Sequence, residues 1–475
     1  MAAGKGTRMK SILPKVLHRL GGRALLAHVT DCAARLSARQ LIVITGHGAE
    51  QVESACRHPD WPGRSQPAQP EQPEQPKQPA LKFARQEPQL GTGHAVQQAL
   101  PQLLDDGVTL VLSGDVPLIE VATLKALLAE SGGQRLALLT LRMPDPTGYG
   151  RIVRAGPEAS AQVRAIVEQK DASEAQLALD EIYSGIMALP TRLLRGWLAR
   201  LDNKNAQGEF YLTDIVKFAV ADGVAVVAHR IVDAAQVAGV NSPAQLAALE
   251  REYQLRRAGA LMAQGVRLAD PARFDVRGVL RCGQDVEIDV NCVFEGEVSL
   301  GDSVHIGPNC VIANAEIASG AVIAAFTHID GEQLGVQVGA GARIGPFARL
   351  RPGARLGREV HIGNFVEVKN AVLAEGAKAN HLAYIGDATV GERVNYGAGS
   401  ITANYDGANK HRTVIEADAH IGSNCVLVAP VTIGSGGTVG AGSVITRDTP
   451  AGALSIARGR QASYAGWARP KKAAR

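Results

Sequence analysis

The chain has 475 residues, room for two or three domains, and with 46% hydrophobic and 20% charged residues it is too apolar to be disordered. A formal net charge of +4 over this length is too weak to indicate nucleic acid or a membrane surface, so small molecules are the expected partners. Glycine, at 52 residues, exceeds its usual share of about 7%, while aromatics reach only 4%, which points to something repetitive and tight-turned.

The opening stretch, MAAGKGTRMK, lacks an apolar region of signal-peptide length. Cys32, Cys56, Cys282, Cys292, Cys310 and Cys425 form no CxxC pair, so reduced thiols and a cytoplasmic chain are expected. Gly4-Lys5-Gly6-Thr7-Arg8, followed by Pro14-Lys15, combines glycines that let backbone N–H groups approach phosphate with two cations that can neutralise it. Aliphatic runs at 41–45, 109–112, 136–141 and 224–228 alternate with helical patterns, predicting a parallel α/β sheet. Within this half, Pro67, Pro70, Pro73, Pro76 and Pro79 recur every third residue, the period of polyproline II, and read as a solvated surface insertion. Ser113-Gly114-Asp115 closes the second run, placing a carboxylate where such sheets bind ligands. Asp115 there is either a Mg²⁺ ligand beside a nucleotide phosphate or a turn or helix cap. Ser242-Pro243 opens a connector helix over 242–264.

From about Val286 the aliphatic residues fall six apart: Ile288, Phe294, Leu300, Ile306 and Ile312, then Val338 through Val368, then Ile421 through Ile445. That period predicts a parallel β-helix of hexapeptide repeats, with about nine coils over roughly 160 residues. The uncharged stretch 419–446 is long enough to suggest a membrane span, but it keeps the hexad rhythm and contains Asn424 and Pro430.

Taken in order, AAGKGTRM, PKVLH, QLGTGHA, GDVPL, DPTGYGRI, NAQGE and GVN, then RPGA, GNFVE, HLAYIGDA and NYDGANK, resemble one family over nearly the whole chain. It is the bifunctional N-acetylglucosamine-1-phosphate uridylyltransferase and glucosamine-1-phosphate N-acetyltransferase family. The resemblance implies a Rossmann-like α/β nucleotidyltransferase domain over 1–241, a left-handed β-helix acetyltransferase over 265–457 and a tail over 458–475. It also implies synthesis of UDP-N-acetylglucosamine for peptidoglycan and lipid A, with UTP and acetyl-CoA as cosubstrates and Mg²⁺ as cofactor. By analogy with similar acyltransferases, a homotrimer with sites between prisms is expected.

Motif by motif, the resemblance places Ala2, Ala3, Gly4, Arg8 and Lys15 on the nucleotide and Gln86, Gly91 and Thr92 on uracil. Ser113, Gly114 and Asp115 fall at the ribose and metal, Gly150 and Glu168 at the sugar, and Asn241 beside Asp115 on Mg²⁺. In the β-helix it makes His381 the general base that takes a proton from the attacking amine. Arg351, Lys369, Tyr384 and Asn395 surround the sugar phosphate; Ala398, Asn404, Tyr405, Ser423, Ala441 and Arg458 hold acetyl-CoA. The basic tail, with Arg469, Lys471, Lys472 and Arg475, reads as a frayed terminus.

Three departures stand out, of which Ala238, where the family commonly has Glu before Gly239, matters least. Tyr183 occupies a sugar-site position where the family usually has Asn. A hydrophobic strand normally precedes AAGKGTR, and here Met1 takes its last position, so an apolar gap and weakened uridylyl transfer are expected. That expectation leaves an upstream start or an acetyltransferase-only chain as alternatives. Competing readings of the β-helix are an oligomerisation module, a metal site built from His305, His328, His361 and His381, or a scaffold without activity.

Overall fold

The computed structural model describes residues 1–58, 61, 79–156, 158 and 161–470. Four of the five periodic prolines and the basic residues after 470 lie outside the described residues. Two compact units divide within one helix: Met1–Tyr253 and Gln254–Arg475. That helix, Pro243–Ala263, begins as expected, with the Ser242 hydroxyl accepting a hydrogen bond from the Gln245 amide.

In the first unit, strands β1 (Gln40–Thr45) and β2 (Ala80–Arg85) pair in parallel, apart from a six-stranded sheet. That sheet contains β3 (Val108–Val111), β4 (Leu136–Arg142), β5 (Arg151–Arg154), β6 (Val163–Val167), β7 (Glu181–Pro190) and β8 (Val226–Arg230). It is mixed rather than parallel: β8 runs parallel to β4, whereas β7 is antiparallel to β3, β4 and β5. The connection from β5 to β6 is too short for the crossover that parallel pairing requires, and these two strands pair antiparallel. Apolar positions on β4 and β7 bury both faces of the sheet, with Leu136, Leu138, Leu139, Ile182, Ile186 and Met187 all inaccessible to solvent.

The expected gap is present. Where a strand between β1 and β3 would lie, there is a cavity of about 410 Å³ lined by Leu26, Val29, Ile42, Ile44, Val96 and Leu110. Only its upper end is closed by main chain: the Ala2 amide donates to the Ile44 carbonyl at 2.8 Å, and the Gly114 amide to the Met1 carbonyl at 2.8 Å.

The second unit is the β-helix. One face is an eleven-stranded ladder from Arg267–Leu268 to Leu454–Ser455, and the other faces share a second ladder joined through the long first strands. The first coil, ahead of Val286, contains the continuous strand Phe274–Cys282, paired with Cys292–Leu300. Every hexad aliphatic named above is buried. The corners are tight, and Phe326, Phe347, Phe365 and Leu382 all adopt positive φ at equivalent corners of successive coils.

Candidate active sites

In the first unit the glycine loop, the turn after β3 and the segment before the connector helix converge. Gly6 sits at φ 60°, and a Cβ there would lie 2.8 Å from that of Lys15, so glycine brings the loop against the lysine. Lys15 Nζ donates to Asp115 Oδ2 at 2.5 Å and to Asn241 Oδ1 at 3.1 Å. The Val240 amide bonds the Asp115 carbonyl at 3.0 Å, holding the two oxygen donors in place. A carboxylate and an amide oxygen already gathered around one cation are the hard donors that a small divalent ion accepts beside phosphate oxygens. The residues present therefore fit such an ion. Tyr149 lies close enough to Asp115 for its charge, after burial, to raise the phenol above its usual range.

The other expected nucleotide residues form the adjoining wall. Gln86 is buried, and its Nε2 donates to the Gly91 carbonyl at 2.8 Å. Gly91 has φ 107°, and a Cβ there would stand 2.7 Å from the Phe210 carbonyl oxygen, so no other residue fits easily. Thr92 starts a helix, Thr92–Ala99, and its hydroxyl accepts from the Leu212 amide at 3.1 Å. Ala3 is anchored through its carbonyl by Gln89 Nε2 at 2.7 Å, whereas Gly4 faces open space and Arg8 is exposed. Ser113 faces Gly185, where an added Cβ would come within 3.3 Å of the serine hydroxyl.

At the expected sugar end, Gly150 lies beneath Glu168, whose Oε2 would be 3.6 Å from a Cβ at that glycine. Burial, reinforced by the nearby Asp214, Asp171 and Glu209 charges, raises the Glu168 carboxyl above its ordinary range, against a hydrogen bond from Thr213 at 2.9 Å. Tyr183 belongs to the apolar cluster with Ile152 and Ile166, and its hydroxyl is sealed from solvent without a hydrogen-bond partner in the structure. Its amide bonds the Gly150 carbonyl at 2.9 Å. The tyrosine thus supports the site's floor through its backbone, and its side chain serves the core. Sequence reasoning missed Arg151, fully buried beside Gly150 and bonded to the Tyr149 carbonyl and to Gln169. Its position inside DPTGYGRI was the available signal.

In the second unit, His381 ends strand Lys378–His381 and is exposed, with Nδ1 2.8 Å from Asn364 Oδ1. Arg351 donates to Glu367 at 2.7 Å. Lys369 contacts Lys410, and that contact, burial and the Arg351 charge lower its ammonium below the usual lysine range. Three cations held together in this way define a place for an anion. Lys410 was missed as a site residue although NYDGANK contains it; only the fold carries it back onto Lys369. Asp387, buried, accepts from Asn370 and from the Asn404 amide, and offsets part of this charge. The Tyr384 ring lies over Gly386, where a Cβ would meet its hydroxyl at 2.3 Å. Asn395 pairs in register with Lys378 and His420.

The loop from Asn404 to Lys410 leaves the prism and returns through a bridge between Tyr405 and Lys410. Asp406 braces it by accepting from the Ala408 and Asn409 amides and pairing with His411, and these contacts hold its carboxyl well below the usual range. Ala398, Ser423 and Ala441 follow one corner: Asn424 N–H bonds the Ala398 carbonyl, Gly442 N–H that of Ser423, and Arg458 that of Ala441 at 2.6 Å. Among the described residues, no three His, Cys, Asp or Glu side chains converge to hold a metal, so the four-histidine reading finds no support.

An α/β unit with a phosphate loop and a hard-cation position, joined to a hexapeptide β-helix carrying an exposed histidine beside an anion site, defines a nucleotidyltransferase fused to an acyltransferase. Residues 1–172 match the MobA-like NTP transferase domain, and residues 335–370 and 412–447 match the bacterial transferase hexapeptide. The chain is 77% identical to the bifunctional protein GlmU of Polaromonas sp. (strain JS666), over 99% of this chain and 97% of the relative. It is 78% identical to that of Polaromonas naphthalenivorans and 54% to that of Azoarcus sp. (strain BH72), with 99% of this chain covered in each and 97% and 98% of the relatives. The chain belongs to the GlmU family of bifunctional uridylyl- and acetyltransferases.

Proposed function

We propose that the chain makes UDP-N-acetylglucosamine by acetylating glucosamine 1-phosphate in the second unit and joining the product to UMP from UTP in the first. The observation that carries this reading is the presence of both sites, each with its charged groups assembled, in a chain so similar to bifunctional relatives. An acetyltransferase-only chain would leave Lys15, Asp115 and Asn241 assembled for no purpose.

In acetyl transfer, His381 takes the proton from the glucosamine amine as the nitrogen attacks the thioester carbonyl, and coenzyme A leaves as thiol. Arg351, Lys369 and Lys410 hold the sugar phosphate. Tyr384 and Asn395 flank the ring, and the corner of Ala398, Ser423 and Ala441, with Asn404, Tyr405 and Arg458, takes the cofactor arm. In uridylyl transfer, Gln86, Gly91 and Thr92 hold the uracil, and Ala2, Ala3 and Gly4 bring backbone amides to the phosphates. Ser113 and Gly114 face the ribose; Gly150 and Glu168 hold the N-acetylglucosamine. Mg²⁺ at Asp115 and Asn241 would supply charge neutralisation on the triphosphate. Lys15 and Arg8 add cationic charge as the sugar phosphate displaces pyrophosphate in line. The hexapeptide β-helix and its exposed row Phe326, Phe347 and Phe365 support assembly as a trimer, and the nucleotide and coenzyme substrates support a cytoplasmic reaction.

The test separates the two halves. His381→Ala is expected to lose coenzyme A release from glucosamine 1-phosphate while keeping pyrophosphate release, and Asp115→Ala the reverse. Either variant losing both activities while still folded would overturn the division of labour.

A further inference from the structure

His381 is bonded to a neutral amide, and the geometry of that bond has chemical content. Strands His361–Asn364 and Lys378–His381 lie in adjacent coils, with Asn364 and His381 as register partners. The Leu382 amide donates to the Asn364 carbonyl at 3.0 Å, clamping the corner directly after the histidine. The coils approach so closely here that a Cβ on Gly363 would stand 1.9 Å from the Asn380 carbonyl oxygen. The Asn364 side chain therefore has little freedom, and its Oδ1 sits 2.8 Å from His381 Nδ1. An amide oxygen only accepts, so this bond needs the proton on Nδ1 and leaves the lone pair on Nε2.

We infer that Asn364 is a positioning residue for acetyl transfer, fixing His381 in the tautomer whose Nε2 is the base. This rests on the reading of His381 as the base given above. In a histidine oriented by a carboxylate, the charge also stabilises imidazolium; an amide orients without that effect. Asn364 thus holds the ring without placing a charge beside it. His361, on the facing strand, is held below the usual histidine range by burial and by Arg343, Lys378 and His381. GNFVE, which contains Asn364, otherwise has no assigned part in the chemistry beyond Glu367.

The experiment uses the full chain, with uridylyl transfer as an internal control of folding. Asn364→Ala is expected to lower kcat for acetyl transfer about 10- to 100-fold, within the range that general-base catalysis supplies, with KM for glucosamine 1-phosphate nearly unchanged. Nitrogen-15 NMR of labelled histidine should show the Nε2–H form of His381 gaining population. Asn364→Asp restores an acceptor and adds charge, so it should recover much of kcat at high pH while moving the acidic limb of the pH profile up by about one unit. If Asn364→Ala keeps kcat within twofold, or leaves the tautomer unchanged, the inference fails. If His381→Ala itself keeps acetylation, the base assignment fails instead, and the two failures are distinguishable.

Discussion

At the scale of single residues, Lys15 occupies the position that the two oxygen donors Asp115 and Asn241 offer to a metal. An ammonium there competes with a divalent cation. Lys15→Met is therefore expected to bind Mn²⁺ about 10-fold more tightly without nucleotide, about 1.4 kcal/mol, as read by electron paramagnetic resonance, while pyrophosphate release slows. Unchanged or weaker Mn²⁺ binding would show that the lysine does not hold the metal position. Glu168 offers a test with a definite sign. Its folded carboxyl titrates above its unfolded value because burial disfavours the charge, so it destabilises the fold as pH rises through that range. Glu168→Gln keeps the acceptor for Thr213 and removes the charge. Its first unit should melt about 2 to 4 °C higher than the unaltered chain at pH 8, a shift worth about 1 kcal/mol in a unit of this size. The difference should vanish near pH 4, and calorimetry across that range checks both ends.

At the scale of elements, the slot between β1 and β3 is the weak point of the first unit. Each of these strands is paired along one edge and meets the cavity along the other. Buried backbone groups without partners cost about 1 to 3 kcal/mol each. An extended apolar segment of about eight residues joined ahead of Met1 reaches along the slot at about 3.3 Å per residue. Its addition should raise the melting temperature of the first unit by several degrees and leave the β-helix transition where it was. Equal melting with and without the added segment would mean that water or relaxed packing already satisfies these edges.

At the scale of the molecule, the β-helix presents Phe326, Phe347 and Phe365 as a stacked row, with ring centroids 5.0 and 5.3 Å apart and each ring about half exposed. Leu382, next to His381, continues the row. Three stacked, exposed phenyl rings on a solenoid corner suit burial against another copy of the chain. Phe347→Asp should break the proposed trimer into monomers by analytical ultracentrifugation and lower acetylation at least 10-fold, while sparing uridylyl transfer. A variant that remains trimeric would remove this row from the interface.

The sequence alone determined the β-helix, because each coil repeats the same local demand: one aliphatic residue inside and a tight corner every six residues, from Ile288 to Ile445. It also determined the capped connector helix and the contiguous motifs from which the candidate site residues are read, since a glycine loop or a histidine within a motif is legible without knowing what lies across from it. It announced the apolar gap as well, because a phosphate loop needs a strand to lead into it. Only the tertiary structure decided what depends on contacts between distant segments. The antiparallel course of β7 is set by its pairing with β3, β4 and β5, none of which directly precedes it in sequence. The burial of Tyr183 depends on Ile152 and Ile166, and the charge state of Glu168 on carboxylates up to 46 residues away. Lys15 finds Asn241 across 226 positions, and Lys410 reaches Lys369 only because a loop leaves the prism and returns. Asn364 meets His381 because one coil of the solenoid sets it there, a spacing of 17 residues that no hexad count distinguishes from chance.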